Sequence, residues 1–242
     1  MIFDQAEFDI RCEWGEPGIA QLAPISDVVI IVDVMSFSTC VSIAVGRGAT
    51  VFPYRWKDGT GRAYAESVGA ELAESRTMPG QSSSPYSLSP KSLLNIPGGV
   101  RLVLPSPNGS TQTFATGTTP TLAGCLRNSR AVAAAAMQLG SRIAVIPCGE
   151  RWKETGGLRP AFEDLVGAGA IIQHLSGSLS PESRMALACY RDAVGALESL
   201  LLECASGKEL IAMGYEIDIP IIAQLDVDDT APLLRDGAYV AF

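Results

Sequence analysis

The run VVIIVDVMSFSTC, residues 28–40, decides the fold class. Its first five residues are all β-branched and apolar, with no polar residue alternating among them. A strand covered on both faces reads this way, whereas a strand wetted on one face alternates. The run then meets a carboxylate, Asp33, followed by short hydroxyl side chains at Ser36, Ser38 and Thr39. Small and apolar residues continue through STCVSIAVGRGA, a helical pattern that stops near Gly46 or Gly48. Strand, polar loop and small-residue helix together make the unit from which α/β domains are built.

The plan recurs downstream. Apolar runs at 50–54, 101–104 and 142–146 read as strands, and IDIPIIA at 217–223 reads as another. Helical patterns separate them. GRAYAESVGAELAES is one, and the alanine-rich NSRAVAAAAMQLGS, stopped by Gly140, is a second. In RPAFEDLVGAGAIIQHL, residues Phe162, Leu165, Val166, Gly169 and Ile172 share one face. SPESRMALACYRDAVGALESLLLECA predicts one long helix, capped by Ser180 with Pro181 at the first helical position. SGKELIAMG adds a capping box from Ser206 to Glu209 and a stop at Gly214. The alternation predicts a three-layer α/β/α fold around a largely parallel or mixed sheet. The chain reads as a single domain over 1–242, with a Pro/Ser-rich surface excursion at 76–99, since composition does not shift across that segment.

Composition removes several function classes. The chain has 242 residues, 47% of them apolar, and a formal net charge of -8, so nucleic acid is not an expected partner. No basic-then-apolar leader and no membrane-length apolar stretch is visible, which predicts a cytoplasmic protein without a membrane partner. The six cysteines form no CxxC pair and sit mostly among apolar residues, as buried thiols do. The single histidine, His174, reads as structural at a helix end. One histidine cannot supply a Ser-His-Asp triad or a multi-histidine metal site.

In open α/β sheets ligands bind beyond the carboxyl ends of strands. Three polar loops lie at such ends: Asp33 with its hydroxyls, PSPNGSTQT at 105–113 and PCGERW at 147–152. If their strands run parallel, the three loops meet in one site. No GxxxxGK[ST], no GxGxxG and no DxD stands there, and Glu154 occupies the position where a phosphatase loop built on Cys148 needs arginine. A hydroxyl cluster at a helix start and the amides of NGST suit an anion. Carboxylates beside an anion suit a hard divalent ion such as Mg²⁺, for which Asp33, Glu150, Glu163 and Asp164 are candidate ligands. Each of these residues also has a plain structural use. Asp33 suits a helix cap, Asn108-Gly109 a turn, and one of the adjacent acids Glu163 and Asp164 a solvated helix face. The DVDD at 226–229 reads as a turn, and Cys148 as a buried thiol.

The ordered set VVIIVDVMSFSTCVSIAVGRGATVFPY, PSPNGST, GCLRNSRAVA, CGERW and FEDLVGAGAI resembles the 2-phosphosulfolactate phosphatase family across most of residues 25–240. The family shows an aspartate followed by Val-Leu-Arg-Ala-Thr-Thr-Thr, then Asn-Gly-Thr, Leu-Asn-Ala-Ser, Gly-Glu and Glu-Asp-x-x-x-Ala-Gly. The resemblance implies an α/β/α layered, Mg²⁺-dependent phosphatase acting on phosphate esters of small 2-hydroxy carboxylic acids, 2-phosphosulfolactate or a related ester. Its archaeal members serve coenzyme M synthesis. Carried onto this chain, Asp33, Glu150 and Asp164 are the expected catalytic residues. Ser36, Ser38, Thr39, Asn108, Gly109, Ser110 and Arg151 are the expected substrate contacts. The family arginine three residues after the aspartate is Ser36 here, which leaves Arg151, Arg127 or Arg159 to supply a guanidinium. The expected partner is a small anionic phosphate ester, and assembly into a homo-oligomer is compatible with the sequence. The rival reading is a non-catalytic protein of the same fold that binds an anionic metabolite.

Overall fold

The computed structural model describes residues 2–55, 59–74 and 84–242. Its strands are β1 (Ile10–Cys12), β2 (Val28–Val32), β3 (Thr50–Tyr54), β4 (Glu71–Leu72), β5 (Arg101–Pro105), β6 (Thr121–Gly124), β7 (Ile143–Pro147), β8 (Glu150–Arg151), β9 (Leu158–Arg159), β10 (Pro232–Arg235) and β11 (Ala238–Ala241). Its helices are α1 (Gly15–Leu22), α2 (Phe37–Gly46), α3 (Thr60–Ser67), α4 (Pro90–Leu93), α5 (Gly109–Ala115), α6 (Ser129–Leu139), α7 (Phe162–Ile172), α8 (Pro181–Ala193), α9 (Leu197–Glu203), α10 (Ala205–Ala212) and α11 (Ile219–Ile222). Among the described residues, nine strands form one sheet in the order β1-β7-β2-β6-β10-β11-β3-β5-β4, and β8 pairs with β9 in a separate ribbon.

The continuous apolar run of β2 is buried on both faces, as its sequence requires. Val28, Ile30 and Val32 join the core formed with α6, α7 and α8. Val29 and Ile31 face Ile19 and Leu22 of α1 on the other side. Each such side chain contributes roughly 1.5–3 kcal/mol by leaving water. In the other half of the sheet, Val51, Leu102 and Leu104 pack under α2 and α4, while Phe52 and Val103 pack with Ala65 of α3. The result is the expected three-layer α/β/α arrangement. Gly169 lets α7 and α8 approach closely, because a Cβ there would stand 2.1 Å from the Ala186 carbonyl oxygen.

The sheet is mixed in a specific way. β1, β7, β2 and β6 run parallel, and so do β3, β5 and β4. The β10–β11 hairpin between the halves pairs antiparallel with both β6 and β3, so the two halves formally oppose each other. The condition that all three site strands run parallel is therefore not met by β5. Twist offsets this: neighbouring strands rotate by roughly 20–25°, so the five steps from β2 to β5 accumulate about 100–125°. The loops after β2 and β5 still meet, as the site contacts show.

Other sequence expectations need correction. Residues 217–223 are helical, as a 3₁₀ turn at Glu216–Asp218 and then α11; Pro220 sits in the first helical turn, where its fixed φ helps and its missing donor costs nothing. The long helix from Ser180 breaks at a 3₁₀ turn, Val194–Ala196, between α8 and α9. Its start is as expected, with the Ser180 side chain accepting from the Ser183 amide. The cap of α10 is the Cys204 thiol, which accepts from the Gly207 amide at 3.3 Å, rather than Ser206. The second half of GRAYAESVGAELAES leaves the helix to form β4. Within the 76–99 excursion, residues 76–83 lie outside the described residues; beyond them, Ser89 Oγ and the Lys91 amide donate to Asp218, which ties α4 to the C-terminal helices. His174 is structural, its Nε2 lying 3.3 Å from Asp226 Oδ2. The DVDD turn also has a structural use: Asp226 accepts from Ser129 and Arg130 at the start of α6, and Asp228 takes Arg127 in a two-pronged pair.

Candidate active site

Asp33 lies one residue past β2 and is 6% exposed. Its Oδ1 accepts the Phe37 amide at 3.0 Å, so it caps α2, and its Oδ2 accepts the Gly109 amide at 2.9 Å, so it also holds the start of α5. Gly109 has to be glycine: a Cβ would stand 2.3 Å from Phe37 Cδ1 and 2.8 Å from Asp33 Oδ2. Next to it, Asn108 Nδ2 donates to Glu150 Oε2 at 2.8 Å. Asp33, Asn108 and Glu150 thus converge from three loops, and with Ser36, Ser106 and Glu209 they line one cavity of about 320 Å³.

The adjacent acids of α7 do something else. Asp164 is buried and bridges two loops, accepting the Val34 amide with Oδ1 and the Gly149 amide with Oδ2, both at 2.8 Å. It does not line the cavity, so it holds the Asp33 and Glu150 loops together from beneath. Glu163 is buried as well and accepts from the Cys204 thiol at 3.6 Å, on the side of α10. Neither is the solvated helix face that the sequence allowed.

Of the hydroxyls expected to touch substrate, Ser36, Ser38, Thr39 and Ser110, Ser36 alone is among the described residues that line the cavity. Ser38 Oγ donates to the Ile31 carbonyl and accepts from the Asp33 amide, and Thr39 Oγ1 donates to the Val34 carbonyl. Ser110 Oγ donates to the Leu104 carbonyl and accepts from the Tyr54 amide, which joins β5 to β3. These three side chains are fully buried and serve the backbone. Short hydroxyls near a helix start commonly fold back this way. The arginines divide similarly. Arg127 is committed to Asp228. Arg151 pairs with Glu16 at 2.7 Å, with both partners about half exposed. Arg159 stands opposite Glu150 in the β8–β9 ribbon and donates to Ser206.

Electrostatics follow from acids gathered in low dielectric. Burial pushes the Glu150 carboxyl from its ordinary 4.5 up to about 7, and the charge on Asp33 adds to the effect against the Asn108 hydrogen bond. Burial also pushes Asp164 well above the usual carboxylate range, with Glu163 and Asp33 acting in the same direction. The Cys148 thiol is raised by burial and then by Asp33, Asp164 and Glu150, which disfavours the reactive thiolate. Among the described residues, no group of three or more His, Cys, Asp or Glu is positioned to hold one metal ion. The four-acid ligand set read from the sequence is therefore not a single cage. Among the described residues, the cavity offers oxygen donors from Asp33 and Glu150, and its lining holds no lysine or arginine.

Sequence reading missed Ser106 and Glu209 in the cavity wall. It also missed Gln112 on α5, whose Nε2 donates to the Cys148 carbonyl at 3.0 Å. Only the spacing of Gln112, four residues past Asn108, places it on the site-facing side of α5.

An α/β/α sheet protein with an acid-lined cleft at converging strand ends and no histidine in that cleft is the class that fold and site define. The chain belongs to the 2-phosphosulpholactate phosphatase family, whose model matches residues 18–237, and hence to the phosphoric monoester hydrolases. It is 27% identical over 221 residues to the 2-phosphosulfolactate phosphatase of Methanothermobacter thermautotrophicus, covering 88% of each chain. It is 28% identical over 218 residues to the "Probable 2-phosphosulfolactate phosphatase" of Thermus thermophilus, covering 86% of this chain and 88% of that one. Among the described residues, no helix is long and apolar enough to cross a membrane.

Proposed function

We propose that the chain hydrolyses the phosphate ester of a small 2-hydroxy carboxylic acid with the help of a hard divalent cation, Mg²⁺ by preference. The observation that carries this reading is the convergence of Asp33, Asn108 and Glu150 on one cavity. A phosphate ester is an anion, and the acidic side chains that line the cavity among the described residues, Asp33, Glu150 and Glu209, disfavour it unless their charge is offset. A donor set of carboxylate oxygens suits Mg²⁺, which needs only one or two protein carboxylates. Asp33 and Glu150 are the residues that would hold it, and it would supply charge neutralisation and polarisation of the phosphoryl group.

The chain's own residues do the positioning. The amides of Phe37 and Gly109 fix both oxygens of Asp33, so it enters the cavity in one orientation. Asn108 turns the Glu150 carboxylate in the same way. The Ser36 and Ser106 hydroxyls in the lining are within the cavity to hold phosphoryl oxygens. Asp164 keeps the two acid-bearing loops at a fixed separation, which is what reactions governed by positioning require. Measuring inorganic phosphate released from a panel of phosphorylated 2-hydroxy acids, with Mg²⁺ and with chelator, tests the reading. Release from none of them under any metal condition removes it.

A further inference from the structure

Helix α10 walls the cavity of Asp33 on one side, through Glu209 and through Met213 just past its end. The β8–β9 ribbon, which carries Glu150, is tied to the same helix by two cations. Lys153 Nζ lies 3.0 Å from Glu209 Oε1, and Arg159 Nη2 donates to Ser206 Oγ at 3.2 Å. Ser206 and Glu209 stand about one turn apart on α10, so their Cβ atoms are roughly 5–6 Å apart. The two cations therefore meet the helix side by side, at the edge of the cavity that Glu209 lines. Arg159 also shares a side with the site. It is registered opposite Glu150, and directly opposed residues of an antiparallel pair project from one face. Burial raises the Glu150 carboxyl, and the Arg159 charge reaches far enough to pull against it. Both cations can still take a ligand. Among the described residues, the partners of Arg159 are the neutral Ser206 hydroxyl and the Trp152 ring, 5.9 Å away, whereas a guanidinium fits a carboxylate best. Lys153 has an acid partner, but its side chain is 82% exposed, and such a pair holds its members weakly.

Resting on the functional reading above, we propose that the seam between the β8–β9 ribbon and α10 binds the carboxylate of the phosphorylated 2-hydroxy acid, with Arg159 as its main contact and Lys153 as the second. The phosphoryl group then lies beside Asp33 and Ser36. The carboxylate takes the place of the Ser206 hydroxyl on Arg159 and shares Lys153 with Glu209. Lys153 also offsets the charge of Glu209, the acid of the lining nearest the seam, which would otherwise repel the incoming carboxylate.

The test compares 2-phospholactate, or the most active ester of the panel above if another exceeds it, with its amide, in which an uncharged group of the same size replaces the carboxylate. With Mg²⁺, wild type should prefer the acid at least about tenfold in kcat/KM, the scale of one charge-assisted hydrogen bond. Arg159→Gln should lower the acid-to-amide ratio about tenfold, and Arg159→Lys, which keeps the charge, should retain part of it. Lys153→Gln should lower the ratio about threefold, less because an exposed ion pair is screened. Glu209→Gln should raise the ratio about threefold, since it frees Lys153 and removes a like charge. The losses should fall on KM with kcat unchanged, because the grip on the carboxylate is the same before and during reaction. If Arg159→Gln fails to fold, the other three variants carry the test. A wild type indifferent to the amide would overturn the inference. So would a preference for the acid that survives in every variant, which would place the carboxylate on the cation. Variants that lower acid and amide by one common factor would also overturn it, as the mark of side chains that only hold the ribbon to α10. Phosphate release from no ester of the panel is a separate result, and it removes the functional reading together with this inference.

Discussion

The backbone amide of Gly109 donates to Asp33 Oδ2 at 2.9 Å, across 76 residues of sequence and between the two opposed halves of the sheet. This contact is where a formally antiparallel topology still produces one site. The helix N-terminus that sequence reading offers to an external anion is partly used internally. Asp33 accepts the first amide of α2 itself, and the amide of Ser38 goes to the Asp33 carbonyl. Among the described residues the cavity consequently presents Asp33, Glu150 and Glu209, and in the proposed function a cation accompanies the anionic substrate.

Asp164 is the clearest case of a residue that acts through others. Asp164→Asn keeps one acceptor but turns an NH₂ towards one of the two amides it now accepts. We expect a stability loss of about 1–3 kcal/mol, typical of a buried hydrogen-bonding group left unmatched. Urea unfolding of the metal-free protein measures it. A residue serving only as a metal ligand would instead leave metal-free stability unchanged or raised.

Glu150 makes stability depend on pH. Its carboxyl is raised from 4.5 to about 7 in the folded chain, so the folded state holds the proton more tightly than the unfolded one. Stability accordingly falls as pH rises through that window, and the full penalty, about 3 kcal/mol, is present above it. Glu150→Gln keeps an acceptor for Asn108 and removes the charge. In chelator, the variant should match wild type near pH 4.5 and be more stable at pH 8, by urea midpoints. An equal difference at both pH values would assign the effect to packing instead of charge.

How much of this was legible in the sequence depends on direction rather than residue type. β2, β3, β5 and β7 were readable because uninterrupted apolar runs need both faces covered. The β10–β11 hairpin was missed, although Asp236 and Gly237 join its strands with positive φ, a turn signal present in the sequence. That omission hid the reversal between the sheet halves. Asp33, Asn108 and Glu150 were identifiable from their places at strand ends. Ser38, Thr39 and Ser110 were equally conspicuous, yet their hydroxyls satisfy local carbonyls, and residue type alone does not say which way a hydroxyl turns. Gln112 gave little signal, because a glutamine becomes informative only once its burial is known.

Ser36 stands where the family pattern has arginine, and it lines the cavity. Ser36→Arg should restore a charged grip on a second acidic group. The ratio of kcat/KM for 2-phosphosulfolactate to that for 2-phosphoglycerate should then rise about ten- to a hundredfold, the range of one charge-assisted hydrogen bond. An unchanged ratio in a folded variant would mean that the serine does not set substrate charge preference.

Asp33, in the cavity it shares with Asn108 and Glu150, is expected to support cation-dependent hydrolysis of a phosphate ester. Its most direct test is phosphate release from a phosphorylated 2-hydroxy acid by wild type and Asp33→Asn, each with Mg²⁺ and with EDTA. Expected are release by wild type with Mg²⁺, loss of release in EDTA with recovery on adding Mg²⁺ back, and a fall of at least about a hundredfold in Asp33→Asn, the scale of losing one fixed electrostatic group at a reacting centre. Wild-type release that is undiminished in EDTA, or an Asp33→Asn variant as active as wild type, would contradict it.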